Sequence, residues 1–279
     1  MIGRDAVSPD AGTLLALYDA QLRTSAEMVG ADSVQRLGPL WLGVFAGGCG
    51  FVSYRDLADV APGDLPALVG TVLDHFRAVD GVTEVEWKTR SHDHTSGLRD
   101  ALTACGFDEG EEESVMIGPA EALAVDVELP PGVTVRRAQG GDCLRGVARA
   151  LDRAFGDSSG SDGREDLARR LARADPLLEV WMAEVGGEVV GAGRLELVPD
   201  SDFAGIWGGG MVPQWRGRGI YRAITAARAR SALAAGRRWI HSDSTAMSRT
   251  VLERSGLVRV TGTTPWTWSR GPNGLRAGR

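Results

Sequence analysis

The sequence has little of several features that mark particular classes of protein. Lysine occurs once, at Lys88, which excludes a phosphate loop of the Gly-Lys-Ser/Thr type. The net charge is −6 and the pI is near 5.3, which argues against broad binding to nucleic acid, since its phosphates select basic surfaces. No stretch approaches the roughly 18 consecutive apolar residues of a transmembrane helix. We therefore expect neither nucleic acid nor a membrane as a partner.

Cysteine and histidine are also scarce, and neither forms an obvious framework. The three cysteines, Cys49, Cys105 and Cys143, stand apart without a C-x-x-C pair, a pattern typical of reduced thiols in a cytoplasm. The triplet His92-Asp93-His94 lacks a third ligand nearby, so a turn is favoured over a metal site. Residues Met1 to Tyr18 show no signal-peptide pattern. We expect a cytoplasmic protein without a metal.

Apolar residues, in contrast, are plentiful enough for two cores. Of the 279 residues, 43% are hydrophobic, and a chain of this length favours two domains. The best linker candidate runs from Pro119 to Gly132 and ends in Pro130-Pro131-Gly132. Both halves show mixed helix and strand patterns. We predict an α/β (α+β) protein with two mixed-sheet domains, residues 1–120 and 132–270, a linker at 121–131 and a flexible tail at 271–279.

The second half has the clearer periodic segments. A Gly186-Gly187 turn between Leu178–Val185 and Glu188–Val198 predicts a β-hairpin. A strand over Phe203–Val212 precedes a helix over Ile220–Ala235 that ends at Gly236. The other segments predicted there are a strand at Val133–Arg137, a helix capped by Asp142, a loop at Gly156–Gly163, a short helix marked by Leu167 and Leu171, a strand at Trp239–Ser242, a helix at Ser248–Ser255 and a last strand or hairpin at Leu257–Trp268. In the first half, a helix is predicted over Thr13–Met28.

The segment Pro213 to Gly219, between that strand and that helix, is suited to binding a phosphate. Residues at the start of a helix expose unpaired backbone amides at the positive end of the helix dipole. Gly217 and Gly219 allow a close approach and unusual turn angles. Arg216, Arg218 and Arg222 add mobile positive charge. The glycines do not complete the dinucleotide pattern G-x-G-x-x-G, because Arg222 stands at its last position. We predict a phosphate or pyrophosphate ligand.

These residues resemble the GNAT acetyltransferase superfamily, whose pyrophosphate loop is written Q/R-x-x-G-x-G/A. Gln214-x-x-Gly217-x-Gly219 matches that pattern, and Leu252 to Leu257 resembles the family's closing helix with its glycine and apolar residue. The resemblance covers roughly Val133 to Trp268. Ala101–Phe107 and Val251–Leu257 share a helix-Gly-apolar ending, so the first half resembles a degenerate copy of the same fold.

The resemblance implies an acetyl-CoA-dependent N-acetyltransferase, with acetyl-CoA or another acyl-CoA as cosubstrate. The acyl group would pass directly to an amine of a small molecule, or to a peptide N-terminus, without a covalent enzyme intermediate. The backbone of Met211 and Val212 would bind the pantetheine arm. The amides of Arg216 to Ile220 would hold the pyrophosphate. The cofactor-binding set implied in this way is Met211, Val212, Gln214, Trp215, Arg216, Gly217, Arg218, Gly219, Ile220, Tyr221, Thr245 and Ser248.

The chain departs from the family pattern where proton transfer is needed. The strand before the loop carries no acid, and the family's proton-donating tyrosine falls at Leu252. Replacement bases are Glu196, Asp243 and His241, the last two sharing a strand face by alternation. Glu196 could equally be a solvated strand residue, and Asp243 could cap a turn.

Other residues near the loop also have two interpretations. Tyr221 could face either way from the first turn of the helix. Gly208-Gly209-Gly210 indicates either a close approach by a ligand or another backbone, or a bulge. The tryptophans at 207, 266 and 268 could wall an acceptor pocket or belong to a core.

Three interpretations of the function stay open. The first is the N-acetyltransferase. The second is a non-catalytic module that binds or senses acyl-CoA, because the acid and base of the family are missing. In the third, the first half only builds the acceptor cleft or a dimer interface, so either a monomer or a homodimer is consistent with the sequence.

Overall fold

The computed structural model describes residues 9–155, 169–173 and 175–271. The predicted loop at 156–163, the Leu167 end of the predicted short helix and residues 272–279 of the predicted tail lie outside the described residues. The chain divides into two compact units. The small unit comprises Asp19–Glu113 and residues 261–271, and the large unit comprises the other described residues. Helix α1 (Ala11–Gln21) crosses the division near Tyr18.

The small unit contains one mixed sheet with helices on it. Its elements are a 3₁₀ turn at Ser25–Met28, β1 (Ser33–Leu37), β2 (Leu40–Phe45), β3 (Cys49–Tyr54), a 3₁₀ turn at Pro62–Asp64, α2 (Leu65–Ala78), β4 (Glu84–Arg90), α3 (Leu98–Ala104) and β5 (Asp108–Glu109). The strand order is β1-β2-β3-β4-β12, where β12 is Val258–Ser269 and joins from Thr263 onward. β3 and β4 are parallel, and the other neighbours are antiparallel. Leucine, valine and aromatic side chains such as Phe76 and Trp87 fill its core.

The large unit is built in the same way. Its elements are β6 (Glu113–Pro119), α4 (Ala120–Leu123), β7 (Val133–Arg137), α5 (Gly140–Phe155), β8 (Leu178–Val185), β9 (Glu188–Leu197), β10 (Phe203–Met211), a 3₁₀ turn at Pro213–Trp215, α6 (Ile220–Ala234), β11 (Trp239–Ser244) and α7 (Ala246–Glu253). The strand order is β7-β8-β9-β10-β11-β6. Only the β10–β11 pair is parallel among these described strands.

The two units repeat one topology. In each, antiparallel strands lead to a parallel pair joined by a helix, β3-α2-β4 in one and β10-α6-β11 in the other, and a further antiparallel strand follows. That last strand comes from the other half of the sequence. β6 completes the sheet of the large unit and the end of β12 completes that of the small unit. The predicted domains 1–120 and 132–270 differ from the compact units in where β6, the end of β12 and residues 9–18 belong. Hydrogen bonding between distant strands leaves no local signal in the sequence.

Local patterns locate most elements of the large unit. The predicted hairpin forms β8 and β9, and Gly186 and Gly187 both have positive φ (55° and 83°) as a two-residue turn of this type requires. α6 buries Ile220, Ala223 and Ile224 and ends at Gly236, whose φ is 77°. The predicted helix at Thr13–Met28 is wrong in its length, because α1 ends at Gln21 and a separate 3₁₀ turn follows.

In the described part of the chain, none of the helices has the length and hydropathy needed to cross a membrane.

Candidate active site

β10 and β11 separate as they approach the phosphate-type loop. They pair over three positions, Phe203 to Gly205 with Trp239 to His241. Beyond Gly205 the described strands continue without a backbone ladder between them, and the Ser242 Oγ donates to the Ile206 carbonyl at 3.0 Å. A side chain therefore bridges the strands where the backbones diverge. The diverging strands leave the β11-facing edge of β10 open beyond Ile206, along Trp207 to Gly210, for an extended ligand.

The glycine triplet in β10 forms a bulge. The register against β9 shifts between Trp207 and Gly210, and Gly208 has a φ of 54°. A Cβ on Gly209 would lie 2.7 Å from the Tyr221 hydroxyl, and one on Gly210 would lie 2.8 Å from the Phe155 ring. The triplet is therefore a bulge, and the groups that closely approach Gly209 and Gly210 are side chains rather than another backbone.

The loop after β10 presents free amides. Pro213–Trp215 forms a 3₁₀ turn, and the Trp215 and Arg216 amides donate to Val212 and Pro213 carbonyls at 2.9 and 3.2 Å. The amides of Gly217, Arg218 and Gly219 donate to none of the residues that the structure describes. Gly217 and Gly219 have φ of 74° and 78°, and a Cβ on Gly217 would meet nothing within 4 Å. The loop is exposed and open at the start of α6, so its unpaired donors are available to an anion.

The three arginines of this region differ in what they do. Arg216 is not the mobile cation expected from the sequence, because its Nε donates to the Met211 carbonyl at 3.1 Å and its Nη2 to the Ala154 carbonyl at 2.8 Å. It ties the loop to the ends of β10 and α5. Arg218 lies over the Trp215 ring, 4.7 Å from its centroid. Arg218 and Arg222 are exposed beside the free amides.

Val212 is less available to a ligand than the sequence suggests. Its amide donates to the Val190 carbonyl, and its carbonyl accepts from the Trp215 amide, both at 2.9 Å. The Met211 carbonyl accepts from Arg216. The open hydrogen-bonding edge of β10 is the one on the side away from β9, and it lies before Met211 and Val212 in the strand.

A cavity of about 290 Å³ lies between α6 and α7. Its lining includes Tyr221, Arg222 and Thr225 from α6 and Leu252 from α7. Leu252 occupies the position where the family has its proton-donating tyrosine. It is 3% exposed and packs in the apolar core. At the start of α7, Thr245 and Ser248 are exposed, with their hydroxyls 3.5 Å apart.

The face of the sheet opposite α6 brings the predicted base candidates together. Gly205 pairs with Glu196 on one side and with His241 on the other, so the three residues form one row across three strands. The ring of Trp207 lies over Gly205, where a Cβ would be 2.4 Å from the indole nitrogen, and it contacts the His241 ring at 5.1 Å between centroids. Asp243 is two residues further along β11, on the same face by alternation.

Glu196 is paired with arginine, a partner that sequence reasoning missed. Its carboxylate lies 3.3 Å from Arg170 Nη1 and 3.8 Å from Arg194 Nη1, with the Glu196 side chain 18% exposed. Burial alone would lower the pKa of Arg170, but Glu196 and Asp175 together raise it. Arg194 faces Glu196 by strand alternation, which the sequence could have indicated, whereas Arg170 comes from a different segment and had no local signal.

In the small unit, the corresponding ends of β3 and β4 are tied together. The Tyr54 hydroxyl donates to Asp93 Oδ2 at 2.7 Å, and the Arg90 amide donates to the same oxygen at 2.9 Å. Arg23, 2% exposed, donates from Nε to the Tyr54 carbonyl and lies 2.8 Å from Asp93. Burial and Asp93 raise the pKa of Tyr54 well above its usual range.

The His92-Asp93 segment is a turn, as favoured from the sequence, with the Asp93 amide donating to the Arg90 carbonyl. Among the described residues, no group of three or more His, Cys, Asp or Glu side chains is placed to hold a metal ion.

Trp266 and Trp268 pack in or against the small-unit core, which bears out their interpretation as core residues.

Comparison with known proteins agrees with this geometry. Residues 145–247 match the Acetyltransferase (GNAT) family. The GCN5-related N-acetyltransferase from Kribbella flavida has a similar structure, with a TM-score of 0.64 at 16% identity over 94% of this chain and 96% of that one. A tandem GNAT protein from the clavulanic acid biosynthesis pathway superposes with a TM-score of 0.59 at 12% identity, over 95% and 98% of the two chains. A search of curated proteins by sequence finds no match.

Residues 145–247 are therefore an acetyltransferase domain of the GNAT family, and the resemblance seen in the sequence is confirmed. The mixed α/β fold class is confirmed as well, since solved structures with this fold cover nearly the whole chain. For residues 145–247, membership of this family indicates acyl transfer from acyl-CoA at the level of the family.

Proposed function

We propose that the protein is an acyl-CoA-dependent N-acyltransferase that transfers an acetyl group to an amine of a small molecule or a peptide N-terminus. The observation that carries the proposal is the pair of diverging strands, β10 and β11, which lead to a loop with free amides at the head of α6. A groove of this kind accepts a long flexible arm with a diphosphate at one end. Coenzyme A has that chemistry.

The residues present fit such a ligand. The amides of Gly217, Arg218 and Gly219 would hold the diphosphate, and Arg218 and Arg222 would balance its charge. The arm would add to the β11-facing edge of β10 between Ile206 and Gly210. Gln214, Trp215 and Ile220 would shape the loop, and Thr245 and Ser248 would line the far side of the groove. When bound, acyl-CoA supplies the activated acyl carbon.

The face with Glu196, His241 and Asp243 would receive the amine. Direct attack needs a neutral amine, so one of these side chains, or water that they order, would accept its proton. Trp207 lies between Glu196 and His241 and would pack against the acceptor. Arg170 and Arg194 balance the charge of Glu196, which favours the ionised form of this carboxylate.

We infer that the small unit is a degenerate copy of the same fold, in a tandem arrangement. The repeated strand topology supports a common origin. Residues 55–64 lack the glycine pattern of the phosphate loop, and the network of Tyr54, Asp93 and Arg23 fills the ends of β3 and β4. The unit keeps the fold without room for the cosubstrate at that position.

Calorimetric titration with acetyl-CoA tests the proposal. The wild-type protein is expected to bind, and Arg218→Gln to bind up to roughly fivefold more weakly, because an exposed ion pair contributes about 0.2–1 kcal/mol. Arg238→Gln is the matched control, since Arg238 is also exposed and also lies over a tryptophan, but beyond the other end of α6. Folded wild-type protein that gives no heat at high micromolar acetyl-CoA would remove the proposal.

A second function is favoured by two observations. Leu252 is buried and apolar, and Glu196 is paired, so the chain also fits a non-catalytic module that binds acyl-CoA. That function predicts acetyl-CoA binding with no release of free thiol across a broad panel of amines. Turnover that is lost in Asp243→Asn or Glu196→Gln would exclude it.

A further inference from the structure

The first three turns of α6 carry three polar side chains on one face, and two of them lie over glycines in the sheet. Tyr221, Thr225 and Arg228 recur at helical spacing and so share one face. A Cβ on Gly209 of β10 would lie 2.7 Å from the Tyr221 hydroxyl, and one on Gly193 of β9 would lie 2.7 Å from Arg228 Nη1. Glycine at these two strand positions makes space for the phenol and the guanidinium.

The Tyr221 hydroxyl is therefore located at the bulge of β10. Gly209 lies within the register shift, after the last residue of β10 that pairs with β11. Tyr221 also lines the cavity of about 290 Å³ between α6 and α7, opposite Leu252. Leu252 thus brings no hydroxyl to this cavity, whereas Tyr221 on the α6 side carries one.

Arg228 is a buried cation beside this phenol. It is 1% exposed, and it donates from Nη1 to the Arg194 carbonyl and from Nη2 to the Thr225 hydroxyl, both at 3.0 Å. Its Nε has no hydrogen-bond partner within the described residues, and its guanidinium lies 5.9 Å from the centre of the Tyr221 ring. Burial lowers the pKa of Arg228, and the Tyr221 hydroxyl opposes that effect.

A buried arginine without a carboxylate is costly to keep in a core. No ion pair of Arg228 occurs among the described side chains, and its two hydrogen bonds go to neutral oxygens. Its positive charge would be used if negative charge developed on a neighbouring oxygen during the reaction. The phenol oxygen of Tyr221 is such a group, because it becomes negative when it gives up its proton.

We propose that Tyr221 is the catalytic proton donor to the leaving sulfur, and that Arg228 is its positioning residue. This assignment rests on the proposed function. The amine nitrogen forms a bond to the acyl carbon, the carbon–sulfur bond breaks with its electron pair going to sulfur, and sulfur takes the proton of the Tyr221 hydroxyl. The phenolate regains a proton that the amine nitrogen releases, through water. One proton has moved from nitrogen to sulfur, and no other reactant is needed.

Tyr221→Phe tests the assignment because it keeps the ring and removes only the hydroxyl. Turnover at saturating acetyl-CoA is expected to fall roughly 100-fold, in the range for loss of a general acid, with the Kd for acetyl-CoA unchanged. Tyr54→Phe is the matched control, since it removes another phenol hydroxyl, from the small unit, and it should keep wild-type turnover. Equal turnover of Tyr221→Phe and wild type across the pH range would overturn the assignment while leaving the proposed function intact.

A second readout does not depend on turnover or on the acceptor. The ultraviolet absorbance of thiolate reports the pH at which the thiol of bound CoA ionises. A hydroxyl that donates to sulfur stabilises thiolate, so Tyr221→Phe should raise that pH by roughly one unit, a tenfold change in thiolate population. Arg228→Met should raise it in the same direction, whereas a purely structural role would lower only the melting temperature. No change in either variant would overturn the assignment, and absence of CoA binding by the wild type would overturn the proposed function with it.

Discussion

Neighbouring arginines in this protein have roles that their residue type does not distinguish. Arg216 and Arg218 flank Gly217, yet the first donates to two backbone carbonyls and the second lies over Trp215 with its charge exposed. The difference arises because the Arg216 side chain reaches the carbonyl ends of β10 and α5. At the scale of single residues, the contacts available around a side chain decide whether its charge serves the fold or a ligand.

Asp19 in the small unit provides a prediction about acid stability. Burial alone would raise its pKa, but the hydrogen bond with His92 and the charge of Arg23 together lower it. A carboxyl whose pKa is lower in the folded state stabilises the fold above its unfolded pKa, near 4, and loses that contribution as the pH falls through the folded value. We therefore expect Asp19→Asn to cost about 1–2 kcal/mol at pH 7, and the difference from wild type to shrink below about pH 4.

Thermal unfolding between pH 2 and pH 7 measures this effect. Asp74→Asn is the control, because Asp74 also pairs with an arginine in the small unit, but its side chain is 77% exposed. It should lower the unfolding temperature little at any pH. A constant difference between Asp19→Asn and wild type over the whole range would contradict the prediction.

At the scale of one element, α6 begins and ends with glycines in the same backbone conformation. Gly219 precedes the helix with a φ of 78° and Gly236 follows it with a φ of 77°. At the C-terminal end the conformation satisfies helix carbonyls, since the amides of Gly236 and Arg237 donate to Leu233 and Ala232. At the N-terminal end it leaves amides open. One glycine closes the helix, and the other prepares it to bind an anion.

Two alanine substitutions compare Gly217, in the loop before α6, with Gly236, which follows the helix. Gly217→Ala and Gly236→Ala both introduce a Cβ at positive φ in space with no neighbour within 4 Å, so each should cost about 1–2 kcal/mol of stability. Only Gly217→Ala is expected to weaken acetyl-CoA binding, by roughly tenfold, because relaxation of its φ would turn the loop amides away from the diphosphate. Calorimetry and thermal unfolding check both quantities. Equal affinities in the two variants would show that this turn does not hold the ligand.

For the molecule as a whole, the exchange of last strands decides what can fold alone. β6 pairs with β11 over six positions, from Ser114 to Pro119. These six residues belong to the large unit, although they come from the first half of the sequence. A division at the linker would remove this strand. It would leave β11 with an open edge, and apolar open edges promote aggregation.

A pair of fragments tests this division. Residues 128–279 lack β6 and are expected to aggregate, whereas residues 110–279 keep it and should give a soluble fragment with cooperative unfolding. Size-exclusion chromatography and circular dichroism on heating distinguish the outcomes. A monomeric, fully active 128–279 fragment would show that the second half completes its sheet without β6.

Much of the large unit follows from short-range patterns. Period-two alternation around Gly186-Gly187 predicts the hairpin, and the apolar spacing from Ile220 predicts α6. The loop could be predicted because its glycines, its arginines and the helix start are adjacent in the sequence. The sequence could not predict that Arg170 lies beside Glu196 or that Tyr221 lies over Gly209, since each contact depends on how separate segments pack.

The sequence by itself determined the elements, the anion-binding turn before α6 and the family to which residues 145–247 belong. These are properties of consecutive residues, set by backbone angles and by the period of apolar side chains. Only the tertiary structure decided which strand completes each sheet, how β10 and β11 diverge, and which hydroxyl meets the bulge. Those features come from hydrogen bonds and packing between residues far apart in the chain, where many pairings satisfy the same local pattern.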